Sequence, residues 1–315
     1  MKKLLLCGAA LLALPIFAHA ATSPIILPTA TGTYNEWTPK SGTTHYTAVD
    51  ETPCNGTTDY VATSTTGKRD SYSIALSSIP NNAFITNIAI VPCASRASTG
   101  TGSSVLNVFY RYNGTNGSDL GSYAPSGTTP SALATSTWSG LSLLKTATST
   151  LEIGMVYTSG TKGGRLSRIA TQLTYGLPPS ATTSAASSIT TTSALLNGTV
   201  NPNGTTTTAW FRLSTTNPGT CNDTFGTRVP ASGSTSIGSG TSSVAYATTT
   251  TGLIQNTTYY YCAIATNGYG KGYGTVQSFT TAYTPVTTTI TTNITTNQTW
   301  GISSSTYYVA ANISV

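Results

Sequence analysis

Apolar residues alternate with polar ones at intervals of two along most of this chain, in short runs separated by clusters of Gly, Pro, Asn and Ser. Before residue 176 the clearest runs are Ser71 to Leu76, Phe84 to Val91, Val105 to Tyr110, Leu151 to Tyr157 and Leu166 to Tyr175. Successive side chains of a strand point to opposite faces, so this rhythm predicts strands buried on one side. After residue 20 no segment sustains the 3.6-residue apolar period of an amphipathic helix. The fold class expected is all-β, as tandem β-sandwiches.

The first twenty residues follow another pattern. Lys2 and Lys3 precede an apolar stretch from Leu4 to Phe17, and Ala18-His19-Ala20 supplies small residues for cleavage. This is the arrangement of a signal peptide spanning residues 1–20, with a mature chain from Ala21. A membrane span needs about 20 apolar residues, more than this run holds. Cys7 lies inside it, after Leu6, and leaves with it. No later stretch approaches a membrane span, so the expected location of this bacterial-type export product is secreted or cell surface.

Composition sharpens the reading. Only 7% of residues are charged, against about 25% in ordinary soluble proteins. Thr, Ser, Gly and Asn fill the space, and Thr favours strands. Of the net charge of +6, two positive charges belong to Lys2 and Lys3. The remaining cations are scattered, with Lys68-Arg69 the one adjacent pair, which describes a solvated surface and argues against a nucleic-acid partner.

Four cysteines survive cleavage: Cys54, Cys93, Cys221 and Cys262. In an oxidising compartment an even number is expected to pair, and four allow three connectivities. The stretch Leu177-Pro178-Pro179-Ser180 separates the first two from the last two. Pairing within domains then gives Cys54 with Cys93 and Cys221 with Cys262. Zinc is the rival reading, but neither CxxC spacing nor a histidine partner accompanies these cysteines. The domains expected are a sandwich over 21–176 and a second over 177–283.

Trp37, the segment DETPCNGTTDYV (50–61), Trp138 and RLSRIATQLTY (165–175) together resemble jelly-roll modules of secreted bacterial and phage surface proteins. SALLNGTVNPNGTTTTAWFRLSTTNPGTC (193–221), TGLIQNTTYYYCAIATNGYGKGYG (251–274) and VQSFTT (276–281) resemble the fibronectin type III-like modules of bacterial exported proteins. In that resemblance Leu253 and Tyr259 match the tyrosine corner, whose hydroxyl caps backbone at the turn into strand F. Alternation then puts Tyr259, Tyr261 and Ala263 on one face and Tyr260, Cys262 and Ile264 on the other. Cys262 thus faces away from the tyrosine-corner core.

The tail changes character again. TPVTTTITTNITTNQT (284–299) reads as an extended Thr-rich linker. Residues 300–315, with Trp300 and STYYVAANISV, read as an isolated β segment that resembles the opening turn of a parallel β-helix. Without a partner such a strand would order in a longer product or by strand exchange with another chain.

Chemistry is sparse. After cleavage His45 is the one histidine, and it reads as a solvated surface residue; neighbouring Asp50 and Glu51 point to opposite faces and make no acid/base pair. HExxH, GxSxG and phosphate-binding glycine loops are absent. No catalytic residue or cofactor is expected. Five of the eight acids fall between residues 36 and 70, and Asp50, Glu51, Asn55 and Asp59 around Cys54 form a candidate calcium set of hard oxygen ligands. NGYGKGYG (267–274) is the candidate binding loop, with Tyr269, Lys271 and Tyr273 at a sandwich tip. The function expected is a noncatalytic surface, adhesion or matrix module whose partner is a surface protein or glycan. The alternative is the carbohydrate-binding targeting portion of a secreted hydrolase.

Overall fold

The computed structural model describes residues 20–40, 44–50, 54, 58–285, 287–290 and 306–309. The expected signal segment lies outside them except for Ala20. Among the described residues the regular structure is strand, apart from one 3-10 turn at Tyr46–Ala48. No helix there is long and apolar enough to cross a membrane. The chain forms two compact units, which divide between Pro178 and Pro179 except that Asn203–Thr205 and Gly268–Gly270 group with the first.

In the first unit an eight-stranded and a six-stranded sheet enclose one core. Phe84–Arg96 organises the larger sheet, antiparallel to Gly164–Gly176 along one edge and to Ser131–Ala132, Ser136–Trp138 and Leu143–Leu144 along the other. Leu151–Gly160 organises the smaller, between Arg69–Ile74 and Ser104–Tyr112. Four of the five predicted runs lie wholly within one of these strands and Ser71 to Leu76 does so as far as Ile74, because their alternation matches a half-buried ladder. Ile85, Ile88 and Ile90 from one sheet, and Leu106, Val108, Ile153 and Met155 from the other, fill the core. Trp138 meets Tyr110 edge to face, with centroids 5.2 Å apart. Gly154 lies in mid-strand because a Cβ there would strike the Asp70 carbonyl and the Phe109 ring.

The second unit pairs a three-stranded sheet, Ser180–Ser187, Ser193–Asn201 and Val244–Thr251, with a six-stranded one centred on Thr207–Ser214 and Thr258–Asn267. Ser193–Asn201 alternates strictly, burying Ala194, Leu196 and Val200. Phe211 stacks on Tyr246 at 4.7 Å between the sheets. Tyr259 is buried beside Leu253, and its hydroxyl accepts the Ile254 backbone N–H at 3.0 Å. Changing Tyr259 to Phe leaves that N–H without its acceptor and is expected to cost about 1 to 3 kcal/mol. Urea unfolding of the two proteins checks this, and equal midpoints would refute the capping role.

The tail differs from expectation. Thr306–Val309 is not isolated: it pairs in parallel with Thr287–Ile290, which lies inside the segment read as a linker. Thr287 opposes Thr306 and Ile290 opposes Val309. The β-branched residues of these segments suit a strand ladder, and two such runs satisfy each other's backbone groups.

Candidate recognition surfaces

Both disulfides form: Cys54 with Cys93, and Cys221 with Cys262. Neither crosses a core. Cys93 lies on Phe84–Arg96 between Pro92 and Ala94, and of these positions it is Ala94 that joins the main core. Cys262 neighbours Tyr261 and Ala263, which are core residues, and itself joins Trp210 and Ile264 in a small cluster with Cys221 and Phe225. Each bridge therefore fastens a connecting loop to the outer face of a sheet. In an immunoglobulin domain the bridge instead joins the two sheets.

On the second unit the loop after Thr207–Ser214 folds back over that outer face. Asp223 anchors it, accepting from Trp210 Nε1 at 3.0 Å, Arg212 Nε at 3.1 Å and Lys271 Nζ at 2.6 Å. Burial pushes the Asp223 carboxyl up, but these donors outweigh it and hold the group below its ordinary value. The Arg228 guanidinium lies 4.2 Å from the Trp210 ring centroid. Of the three binding-loop candidates, Lys271 is thus committed to Asp223, Tyr273 is 45% exposed, and Tyr269 is half-buried. Lys271 and Tyr273 belong to a strand, Gly270–Tyr273, and the turn is limited to the residues before it.

The first unit carries a second built surface, on the outer face of its six-stranded sheet. Residues between Thr31 and Asn35 bulge out of register with Arg69–Ile74. Gly32 lies so close to the sheet that a Cβ would meet the side chains of Ser71 and Glu152. The bulge brings Tyr34 edge-on to Phe109 at 5.7 Å, and Arg69 covers the Phe109 ring at 4.6 Å. Arg69 also grips Asp119 with two bonds, of 2.9 and 2.7 Å. Glu152 accepts from Thr33 N–H, Thr33 Oγ1, Ser71 Oγ and Arg111 Nη1. Burial raises its pKa, and those bonds more than reverse the shift. Glu36 is also held low, first by the Arg69 backbone N–H, against some burial, and then by Lys68. Alternation alone did not reveal this surface, since its partners are 32 to 119 residues apart in sequence and meet only in register.

His45 is not the solvated residue its sequence suggested. Its Nδ1 lies 2.9 Å from Oδ2 of Asp70, which is fully buried. The Tyr72 hydroxyl donates to the same carboxylate at 2.6 Å. Burial is the dominant influence on Asp70 and raises its pKa against both bonds. Asp70 takes this place because Arg69–Ile74 turns its even-numbered residues inward.

Among the described residues no group of three or more His, Cys, Asp or Glu gathers as a metal site. Of the candidate calcium set, Asp50 is described and bridges Arg168 through backbone, and Asp59 is described without joining such a group. Glu51 and Asn55 lie outside the described residues.

No protein family and no curated protein match the chain. Three solved structures show what it is similar to. The sensor domain of the anti-sigma factor RsgI4 in Pseudobacteroides cellulosolvens is 23% identical over 36% of this chain and 98% of its own, with a TM-score of 0.24. The CBM22-1-CBM22-2 tandem of Paenibacillus barcinonensis Xyn10C is 10% identical over 84% of this chain and 99% of its own, with a TM-score of 0.33. The FN1-FN3 domains of chicken CNTN1 are 12% identical over 71% and 66%, with a TM-score of 0.22. These likenesses are distant, and the functional reading rests on the residues of this chain.

Proposed function

We propose that this chain is an exported, noncatalytic surface module, of adhesion or matrix type, in which two disulfide-stapled sandwiches display fixed loops and sheet faces to a surface protein or glycan. The observation that carries the reading is the state of its carboxylates. Glycoside hydrolysis needs two carboxyl groups flanking the scissile bond, one with a raised pKa. Here Glu36, Asp119, Glu152 and Asp223 are each held by a cation, and Asp70 is sealed in the core with His45. Groups so occupied favour rigid presentation over acid/base work.

A second reading, the carbohydrate-binding portion of a hydrolase, is favoured by the first unit's outer face. There Tyr34, Thr33, Asn116 and Arg111 lie fixed within one hydrogen-bonded network, joined through Glu152 and Ser71. Preorganised polar groups of this kind bind without ordering cost. The mature chain, probed on arrays of glycans and matrix proteins, is expected to show saturable binding without release of reducing sugar. Turnover of any bound glycan would overturn the noncatalytic reading, and a uniformly blank array would overturn the recognition reading.

A further inference from the structure

We propose that the open end of the first sandwich holds an anion-binding cleft for the carboxylate or sulfate groups of an acidic polysaccharide. This deepens the exported-binding reading and rests on it. The cleft, of about 240 Å³, is lined by Arg96, Gly102, Ser103, Ser104, Ala124, Pro125 and Ser126. Arg96 ends a long strand of one sheet and Ser104 begins a strand of the other, so the cleft opens where the two sheets part.

Its polar groups are positioned but not satisfied. Arg96 donates from Nη1 to the Gly100 and Gly102 carbonyls, at 3.2 and 2.9 Å, which fixes the plane of the guanidinium. Its Nε is buried with no hydrogen-bond partner. Ser104 is 1% exposed, and its Oγ likewise has no partner. Two buried donors left unpaired at one cleft are costly unless something accepts from them. Lys162 does not line the cleft but stands beside its wall, over the Gly100–Gly102 turn, with Nζ 3.1 Å from where a Cβ on Gly100 would stand, and adds its charge from there. Gly100 and Gly102 both have positive φ, of 92° and 131°, which lets the turn curl around the Arg96 head.

Charge selects the class of ligand. Neither Arg96 nor Lys162 has a carboxylate within ion-pair distance among the described residues, whereas Lys68, Arg69, Arg111, Arg212 and Lys271 all do; Arg165, Arg168 and Arg228 also lack one, but they do not line this cleft. A planar guanidinium with one edge unpaired, a hydroxyl and an ammonium match an oxyanion. Carboxylated and sulfated polysaccharides share that chemistry and suit an exported protein.

Calorimetric titration of the mature chain with polygalacturonate, dextran sulfate, neutral xylan and double-stranded DNA tests the proposal. At least one acidic polysaccharide is expected to bind more tightly than xylan and DNA, and to weaken as salt rises. Arg96→Gln is expected to weaken it about tenfold. Arg96 also supports the Gly100–Gly102 turn, so Lys162→Gln, whose Nζ bonds nothing in the turn, is the second variant. It is expected to weaken binding about threefold at unchanged melting temperature. Equal binding by wild type and Lys162→Gln, or DNA binding as tight as the polysaccharide, would overturn the proposal. Xylan binding untouched by either variant, with no preference for acidic polymers, would overturn the cleft and leave the exported-binding reading standing.

Discussion

Replacing Phe211 with alanine is expected to lower the stability of the second sandwich by about 3 to 5 kcal/mol. Phe211 is fully buried, stacks on Tyr246 at 4.7 Å, and tilts against Tyr261 at 6.1 Å. Its ring joins the two sheets of the unit, meeting on the three-stranded side Tyr246 and a face built from Ala194, Leu196 and Val200. Those residues belong to ladders fixed by backbone hydrogen bonds, so they cannot collapse into the space left by the ring. Guanidinium unfolding followed by circular dichroism measures the loss, and a change below about 1 kcal/mol would show that the core repacks.

The second large effect is expected at Asp70. Asp70→Ala strands the fully buried Tyr72 hydroxyl and removes the partner of His45, at a cost of about 3 kcal/mol. Asp70→Asn keeps an acceptor and is expected to lose less. The two proteins also differ with pH. Burial raises the folded pKa of Asp70 above the unfolded value near 3.8, so the native state holds this proton more tightly. The stabilisation is complete below that value and declines as pH rises through the folded pKa. The advantage of wild type over Asp70→Asn is therefore expected to be greatest in acid and to shrink on the way up. Melting temperatures across that range decide it; an advantage that grows with pH would mean that ion pairing with His45, and not burial, governs the site.

The sequence made the strands legible because their alternation is local: a run such as Val105 to Tyr110 states its own buried face. It also made Leu253 and Tyr259 legible, since both ends of that contact lie at one turn. The outward direction of Cys262 followed from the position of Tyr259 and a period of two. His45 was not readable in the same way, because its partner is 25 residues away on another element. The Arg69, Phe109 and Tyr34 cluster depends on a register shift, and no periodicity records where a bulge falls. The tail pair was missed for a related reason, since parallel partners need a long crossover and the repeated Thr runs give no register.

The outer-face disulfides have a mechanical consequence. Cys54 and Cys93 are 39 residues apart in sequence, and Cys221 and Cys262 are 41 apart. If the chain is pulled from its ends, the bridges exclude those residues from extension even after the sheets have come apart. Each locked stretch would otherwise add roughly 130 to 140 Å of contour. Under tension the oxidised protein therefore extends less than the reduced one, by the length of the two locked stretches.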